Sequence, residues 1–466
     1  MTNINDYPAW RQKLSFILDF LIVFELIINT HSVYYFALDR DYYTLYILAG
    51  LICVQLVVLP TAFLWEHLKK LLPVAGAWSA YIIIYALVSG GDLKRLLAKF
   101  IVLLLLLFVY FYGHMVRGTI KQLFKHYIDI VFIIALIAVF MWLTCSVLKW
   151  FPATRPFRIE WGADRRIWSF YGIYFHWQND FFIHGMRFYR NIGIFTEAPM
   201  FSLHLCTALM FDLMVNDHHT KFRWFRMLWF CGTILTTFSI TGYLFMMMLI
   251  VVDLYATLIV RARSEDEATA KKARKQLILV TILGLALGAV GFSLIADKLA
   301  SRSGGSRTED FRNGYKGWRD NVWFGAGFGD IEARLQYASW RRQHRSNTGF
   351  TNSPMAILCE GGIWFFMGYY LSFVYGMFAS LHKRDWRAFI CLVLLLFLFT
   401  TTTIEHTAYI ISFIAFMLAN GLNRGYRKDT PMRHSGGSEA SSSIGCSRSP
   451  RKGIPTYTAS TSRWAR

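Results

Sequence analysis

Residues 127–148 read YIDIVFIIALIAVFMWLTCSVL, and this stretch decides the fold class. Its side chains are apolar almost throughout, and its length is close to the ~20 residues that an α-helix needs to cross a bilayer. Comparable runs recur along the chain. Charged residues make up only 17% of the sequence, well below the share of roughly a quarter in a soluble domain. The sequence therefore predicts an all-α polytopic membrane protein.

The apolar runs divide the chain into about twelve predicted transmembrane helices and two long loops. The twelve predicted spans are 14–30, 43–65, 72–89, 99–115, 127–148, 199–215, 224–240, 242–260, 276–296, 354–378, 388–403 and 406–422. Two neighbouring pairs form tight hairpins, which turn near residues 239–242 and near residues 405–406. If the second pair were one tilted helix, the carboxyl terminus would change sides.

The end of the chain differs in composition from the rest. Residues 1–428 are predicted to form one transmembrane domain, whereas the stretch 429–466 is basic and rich in Ser, Gly, Arg and Thr. A segment with so few apolar residues cannot bury a core, so we predict that it is a disordered tail.

Lysine and arginine in the short connections set the orientation, because basic residues favour the cytoplasmic side. With the amino terminus inside, five short basic connections lie in the cytoplasm: EHLKK, HMVRGTIKQLFKH, NDHHTKFRWFR, RARSEDEATAKKARKQ and LHKRDWRA. The short turns on the opposite side carry little charge apart from Lys94, Arg95 and Lys99. Both termini are then cytoplasmic, and the long loops 149–198 and 297–353 face out. The net charge of +20 thus reflects orientation and contact with anionic lipid headgroups, and no nucleic-acid partner is predicted.

The two outer loops carry basic residues that topology does not require. Loop 149–198 holds seven Lys and Arg residues and loop 297–353 holds ten, so we predict an anionic ligand on this face. Arg187 and Arg190 are three residues apart, so a helical turn would point both the same way. Contact with phosphate headgroups is the alternative for this pair. The first loop also holds fifteen aromatic residues, which suit either an interfacial belt or a surface for sugars and isoprene units.

The second loop contains a predicted cationic row. Ser306 with Glu309 matches a capping box, so a helix is predicted to begin there. Arg312, Lys316 and Arg319 then fall on one face of the helix. The row is either a solvated basic face or a clamp for phosphate, since arginine offers a planar fork of donors to phosphate oxygens.

Two short motifs of the sequence bear on ligands. GAGFGD at 325–330 lacks the preceding strand of a nucleotide-binding loop, so we predict a tight turn with exposed backbone beside the ligand. LDRDYY at 38–43 contains Asp39 and Asp41, the single candidate pair for a divalent metal. We predict neither a metal nor another cofactor.

Several of these segments together resemble the O-antigen ligase and polymerase superfamily. RNIGIFTEAPMFSLHLCTAL at 190–209 is similar to its Arg-x-x-Gly-Ile/Leu-Phe-x-Glu-Pro segment, and FSITGYLF at 238–245 is similar to its hairpin motif. FRNGYKGW, NVWFGAGFGD and TNSPMAILCEGGIWFF, between 311 and 366, resemble its second outer loop and the following helix. The matched order covers residues 14–422.

The resemblance implies a GT-C-like membrane glycosyltransferase in the bacterial cytoplasmic membrane. Such proteins take glycan from an undecaprenyl-diphosphate carrier on the outer face of the membrane. A polymerase passes it to another lipid-linked repeat unit, and a ligase passes it to a lipid or protein acceptor. Membrane lipids, a flippase and a chain-length regulator are the further partners that the resemblance implies.

Carried over by position, the resemblance implies that Arg190 and Arg312 neutralise the diphosphate. The ligases' His-Asn pair corresponds to Thr351 and Asn352 here, and the hairpin arginine is replaced by Ile240. The polymerase interpretation is therefore favoured.

An attacking hydroxyl needs a base, and three residues are candidates, namely His344, Glu197 and Glu360. We favour His344, because an unperturbed histidine titrates near neutral pH. With Arg190, Arg312 and His344 as catalytic residues, the predicted substrate-binding residues are Arg187, Glu197, Lys316, Arg319, Asn352 and Glu360.

Two other classes of protein stay open from the sequence. A transporter or flippase of lipid-linked oligosaccharides would place ionisable residues deep within several spans and often shows internal repeats. A non-catalytic assembly protein would need no arginines clustered on the outer face.

Overall fold

The computed structural model describes most of the chain. The described residues are 7–38, 43–60, 64–89, 91–160, 164–177, 181–183, 186–214, 221–300, 302–330, 336–344 and 353–429. Asp39, Asp41, Thr351 and Asn352 lie outside them, as does the predicted tail apart from its first residue.

The described chain is mostly helical. Before the first long loop the helices are α1 Ala9–Ile28, α2 Val33–Ala37, α3 Tyr43–Val58, α4 Leu64–Ser89, α5 Leu93–Leu97, α6 Leu104–Arg117 and α7 Ile120–Met141. After it they are α8 Ala198–Met214, α9 Lys221–Thr237, α10 Ile240–Ala262, α11 Glu267–Ala300, α12 Arg302–Asp320, α13 Trp340–His344, α14 Ser353–His382, α15 Trp386–Thr401 and α16 Ala408–Asp429. A helix thus overlaps each of the twelve predicted spans.

Four of the helical segments in the described residues are long and apolar enough to cross a membrane. They are Leu93–Arg117, Ile120–Val147, Ile240–Ala262 and Ser353–His382. Five shorter apolar helices accompany them: Tyr43–Val58, Ala75–Ser89, Ala198–Met214, Trp386–Thr401 and Ala408–Gly421. The chain therefore has the helices of a membrane protein, and the number of twelve crossings stays a prediction.

Residues 127–147 lie in the second of two long helical segments that each continue into or through a π-helical stretch. The first, Leu93–Arg117, joins α5 to α6 through a π-helical stretch, Ala98–Leu103. Gly118 ends it in the left-handed region (φ 72°), a conformation that glycine adopts without a steric penalty. The second runs from Ile120 to Val147 and ends in another π-helical stretch. Both contribute to one large core shared with α8 and α16.

Both predicted hairpins are present. Ser239 caps the amino-terminal end of α10, where its Oγ accepts a hydrogen bond from the Gly242 amide at 3.3 Å. The second pair consists of two separate helices, α15 and α16, which contradicts the alternative of one tilted helix. The break follows Thr402, whose backbone is extended (φ −127°, ψ 148°).

The first long loop contradicts the purely helical prediction. It contains an antiparallel three-stranded sheet of β1 Arg155–Glu160, β2 Asp164–Phe170 and β3 Tyr174–His176, and a hairpin of β4 Phe181–Ile183 and β5 Met186–Phe188. Ile159, Ile167 and Phe175 point to one side and are buried against Val33. Arg187 lies in β5, opposite Phe182, so the predicted helical turn for Arg187 and Arg190 is wrong. The physical reason is that the apolar residues of these segments alternate with a period of two, which favours a β-strand over a helix.

The helix of the second long loop is present, but its predicted beginning is wrong. It begins at Arg302, so Ser306 lies within the helix and does not cap it. Gly314 and Gly317 lie on the face that packs against α14. A β-carbon on Gly314 would lie 2.6 Å from Cβ of Met355, and one on Gly317 would lie 2.5 Å from Sγ of Cys359. The glycines therefore allow the two helices to approach closely.

Candidate functional site

Four segments that carry or adjoin candidate residues meet at one end of the helix bundle, which we call the sheet end. The segments that meet there are the loop 189–197, the turn 238–239, the loop 321–330 and the turn 402–407. The ring of His204 on α8 stacks on Phe195 and contacts Tyr409 of α16 edge-on. Phe328 contacts the ring of His406 at a centroid distance of 4.7 Å. The segments are therefore connected by direct packing.

Arg190 ties the first long loop to the turn between α9 and α10. Its Nε donates to the carbonyl oxygen of Thr237 and its Nη2 to that of Phe238, each at 3.0 Å. Burial lowers the pKa of the guanidinium, and the nearby carboxylate of Glu197 opposes this shift. An arginine remains charged in spite of such a shift. Its Nη1 makes no hydrogen bond within the described part of the chain, so one donor group remains for a ligand.

Glu197 lies at the beginning of α8, partly covered by the sheet. Its Oε1 is 3.4 Å from Nη1 of Arg165, and the Arg165 guanidinium stacks over the ring of Trp177 at 4.3 Å. Burial lowers the pKa of Arg165, and Glu197 counteracts the effect. About a fifth of the Glu197 side chain is exposed, so its carboxylate is within reach of a ligand.

The predicted cationic row is present on α12. Arg312, Lys316 and Arg319 are all exposed, whereas Gly314 and Gly317 on the opposite face are buried against α14. Arg319 is 3.3 Å from Asp320, its neighbour in the sequence. Because the helix is fixed through its glycine face, the row presents its charges to the solvent in one direction.

His344 lies on the short helix α13, which is attached to α12. Arg342 of α13 forms an ion pair with the buried carboxylate of Asp310, and the Ser339 amide donates to Oε1 of Glu309 at 2.9 Å. His344 itself is exposed, and its Nδ1 lies 3.1 Å from the carbonyl oxygen of Trp340. The structure does not bring His344 into contact with the other candidate residues that it describes.

Glu360 is the candidate residue that is most completely enclosed. Its side chain is 1% exposed, and its Oε2 accepts from the Gly329 amide at 2.9 Å and lies 3.2 Å from Nε2 of His406. On the other side of the imidazole, Nδ1 of His406 lies 2.9 Å from the hydroxyl of Tyr369. In this structure the Glu360 carboxylate is sealed from the solvent and paired, so Glu197 and His344 are the more accessible candidate bases.

Two candidates cannot be placed. Asn352 lies outside the described residues, and of Arg187 the structure describes only the backbone, in β5. Conversely, His406 is not among the site residues predicted from the sequence, although a hairpin turn is predicted near residues 405–406. Tyr369 is not among them either, since it gives no signal within an apolar span.

The described residues contain no group of three or more His, Cys, Asp and Glu side chains that could hold a metal ion. Comparisons with protein-family models, with curated proteins and with solved structures found no match. The family resemblance therefore depends on the motifs quoted from the sequence, and the contacts at the sheet end are the structural basis for a function.

Proposed function

We propose that this chain is a polymerase of polysaccharide repeat units. It would join oligosaccharides linked to undecaprenyl diphosphate at the outer face of a bacterial cytoplasmic membrane, with both of its own termini in the cytoplasm. The observation that carries the proposal is the cationic row Arg312, Lys316 and Arg319, exposed on a helix that is fixed against a membrane helix. The motif resemblance of the sequence supports it.

The reaction would need charge neutralisation more than proton donation to the leaving group. A hydroxyl oxygen of the acceptor sugar attacks the anomeric carbon of the donor while the bond from that carbon to the diphosphate oxygen breaks. The diphosphate leaves with the bonding electrons, so negative charge grows on its oxygens. Preorganised cations stabilise such charge, and Arg190 together with the row on α12 would supply them.

The hydroxyl proton must pass to a base within hydrogen-bond reach. Of the three candidates, Glu360 is sealed, while Glu197 and His344 are accessible to a ligand. We propose that one of these two residues accepts the proton. Replacing Glu197 by Gln and His344 by Gln in separate variants distinguishes them, because only loss of the true base removes the acidic limb of the pH–rate profile.

The decisive experiment is turnover of the purified protein, reconstituted in liposomes, on lipid-linked repeat units. Replacing Arg312, Lys316 and Arg319 by Ala together should abolish polymer formation. Thermal stability should hardly change, since substitutions of exposed residues usually alter stability by less than ~0.5 kcal/mol. Lys271→Ala with Lys275→Ala is the matched control, because both lysines are exposed on α11, in a connection that the sequence predicts to be cytoplasmic. An active triple variant would refute the phosphate-clamp role.

A second candidate function, a transporter of lipid-linked oligosaccharides, is favoured by one observation. Asp19 of α1 is buried and lies 3.1 Å from Nε2 of His114, and Tyr110 and Gln55 donate to the same carboxylate at 2.8 and 3.0 Å. Ionisable residues inside helices are expected in transporters. Reconstituted protein that moves the lipid-linked donor across the bilayer without elongating it would favour this function.

A further inference from the structure

Helix α14 is interrupted at Gly362, and the loop 321–330 fills the break. Gly362 has φ 63° and ψ −165°, which does not continue a helix. The carbonyl oxygens of Cys359 and Glu360 accept from the amides of Ala326 and Gly327, at 2.8 and 3.1 Å. The loop therefore supplies the hydrogen bonds that the interrupted helix would otherwise lose, as buried backbone groups require.

The fit leaves no room for side chains at the points of contact. A β-carbon on Gly325 would lie 2.3 Å from the carbonyl carbon of Glu360, and one on Gly362 would lie 2.5 Å from the carbonyl carbon of Trp323. The φ values of Gly325, Gly327 and Gly329 are all positive, at 68°, 124° and 69°. This explains the glycines of the GAGFGD motif without a nucleotide.

One chain of polar contacts secures the far end of the loop. It runs from the Tyr369 hydroxyl through the His406 imidazole and the Glu360 carboxylate to the Gly329 amide. The surrounding rings belong to Phe100, Phe328 and Phe365. A carboxylate buried among such rings destabilises the folded state unless it is paired with another polar group. Removing one partner therefore leaves the other as an unpaired buried group.

The same loop is continuous with the cationic row. α12 ends at Asp320, and the Gly325 amide donates to the carbonyl oxygen of Asn321 at 2.9 Å. The Ile363 amide of α14 donates to the carbonyl oxygen of Val322 at 2.9 Å. Whatever fixes the loop in the break of α14 therefore also fixes the end of α12 that carries Lys316 and Arg319.

We infer that Glu360 and His406 are positioning residues: from a sealed site they hold the loop 321–330 and thereby set the direction of the cationic row toward the diphosphate of the substrate. This role rests on the proposed function. It differs from general-base catalysis, because neither residue needs to touch the substrate.

Kinetics of Glu360→Gln and His406→Asn test this role. Glutamine keeps an acceptor for the Gly329 amide but removes the charge, and asparagine tolerates the positive φ of 63° at position 406. We expect KM for the lipid-linked donor to rise about tenfold or more, as for the loss of a charge-assisted hydrogen bond, with kcat and the pH profile nearly unchanged. Glu405→Gln is the matched control, because the Glu405 carboxylate lies 2.9 Å from Ser353 Oγ, away from the loop.

Three outcomes would overturn the inference. A fall in kcat with a lost limb of the pH profile would make Glu360 a base. Lower protein stability with unchanged KM in the surviving fraction would make the pair purely structural. If the variants had the same kinetic constants as the unaltered protein, Glu360 and His406 would have no role in the reaction.

A labelling experiment separates this inference from the proposed function. Cys359 is buried beside the loop, so a chain with Cys359 as its single cysteine should react slowly with a membrane-permeant maleimide. Glu360→Gln and His406→Asn should speed up the labelling, and Glu405→Gln should not. If the protein failed to turn over while the labelling followed this pattern, only the proposed function would be lost. Equal labelling in all variants would show that the pair does not hold the loop.

Discussion

The guanidinium of Arg190 donates through Nη2 to the carbonyl oxygen of Phe238 at 3.0 Å, and thereby joins the first long loop to the turn between α9 and α10. Phe238 has φ 50°, a conformation that is costly for a bulky residue and persists when its surroundings enforce it. The arginine therefore stabilises this turn, in addition to providing a positive charge for a ligand.

Arg190→Ala should abolish polymer formation and also lower thermal stability. Two hydrogen bonds from a charged group are lost, each contributing about 1.5–3 kcal/mol. Arg190→Lys should restore stability and activity only in part, because an ammonium group lacks the fork that serves two carbonyls and a ligand at once. Polymer gels and thermal unfolding of the purified variants measure the two effects. Full activity of Arg190→Ala would show that this residue has only a structural role.

The parts of the fold that could be predicted follow from the periodicity and the length of the apolar runs in the sequence. Long apolar runs such as 127–148 predicted helices, because a helix satisfies its own backbone in lipid. The sheet at 155–176 was not predicted, because its buried residues Ile159, Ile167 and Phe175 lie on three different short strands and other aromatic residues, including Trp168 and Tyr171, lie between them. Strand pairing also depends on residues distant in the sequence, which composition does not reveal.

The site shows the same division. The row of Arg312, Lys316 and Arg319 could be predicted, since helical spacing alone places it on one face. The contact between Glu360 and His406 could not be predicted. It depends on a break in α14 and on the packing of segments that are distant in the sequence. Glycine has a low helix propensity, yet Gly314 and Gly317 lie within α12 because they allow its close contact with α14.

The glycine contact between α12 and α14 predicts a matched pair of stability effects. Gly314→Ala or Gly317→Ala would force a β-carbon within 2.6 or 2.5 Å of α14 atoms, so we expect a loss of about 1–3 kcal/mol. Gly305→Ala, on the same helix with open space around it, should be neutral or stabilise by about 0.5–1 kcal/mol. Thermal unfolding in detergent measures both. Equal effects at the three positions would contradict the close approach.

The short basic connections predict the orientation of the chain. Arg190, Arg312 and His344 should face outward, and Lys271 and Arg384 should face the cytoplasm. The exposed positions 312, 344, 271 and 384 suit single-cysteine labelling in intact cells with an impermeant thiol reagent. Labelling should occur at 312 and 344 alone. Labelling at both 312 and 271 would refute the orientation.

We predict that catalysis needs no divalent metal, because in the proposed mechanism the arginines neutralise the leaving diphosphate. Purified protein should elongate lipid-linked repeats in excess EDTA. The double variant Asp39→Asn, Asp41→Asn should retain activity, although this pair lies outside the described residues. Activity that is lost in EDTA and restored by magnesium or manganese would contradict a mechanism based on arginine alone and would direct attention to residues 38–43.

The sheet of the first long loop should lose stability in acid because of His176 in β3. Its ring stacks on Tyr189 at a centroid distance of 4.5 Å, and burial lowers the pKa of His176 to about 4. An unfolded histidine has a pKa of about 6.5, so below that pH the unfolded segment binds a proton that the folded sheet excludes. The stability that neutral His176 provides is therefore complete above about pH 6.5 and falls by about 1.4 kcal/mol per pH unit down to about pH 4.

Replacing His176 by Phe should flatten this pH dependence. Phenylalanine keeps a ring against Tyr189 and removes Nδ1, a buried atom without a hydrogen-bond partner in the described part of the chain. His344→Gln, at an exposed histidine of the second long loop, is the control and should leave the pH dependence unchanged. Hydrogen exchange of the amides of β2 and β3, corrected for the intrinsic effect of pH, measures the stability of the sheet between pH 7 and pH 4. Acid loosening that persists in His176→Phe would show that another group, and not this imidazole, controls the sheet.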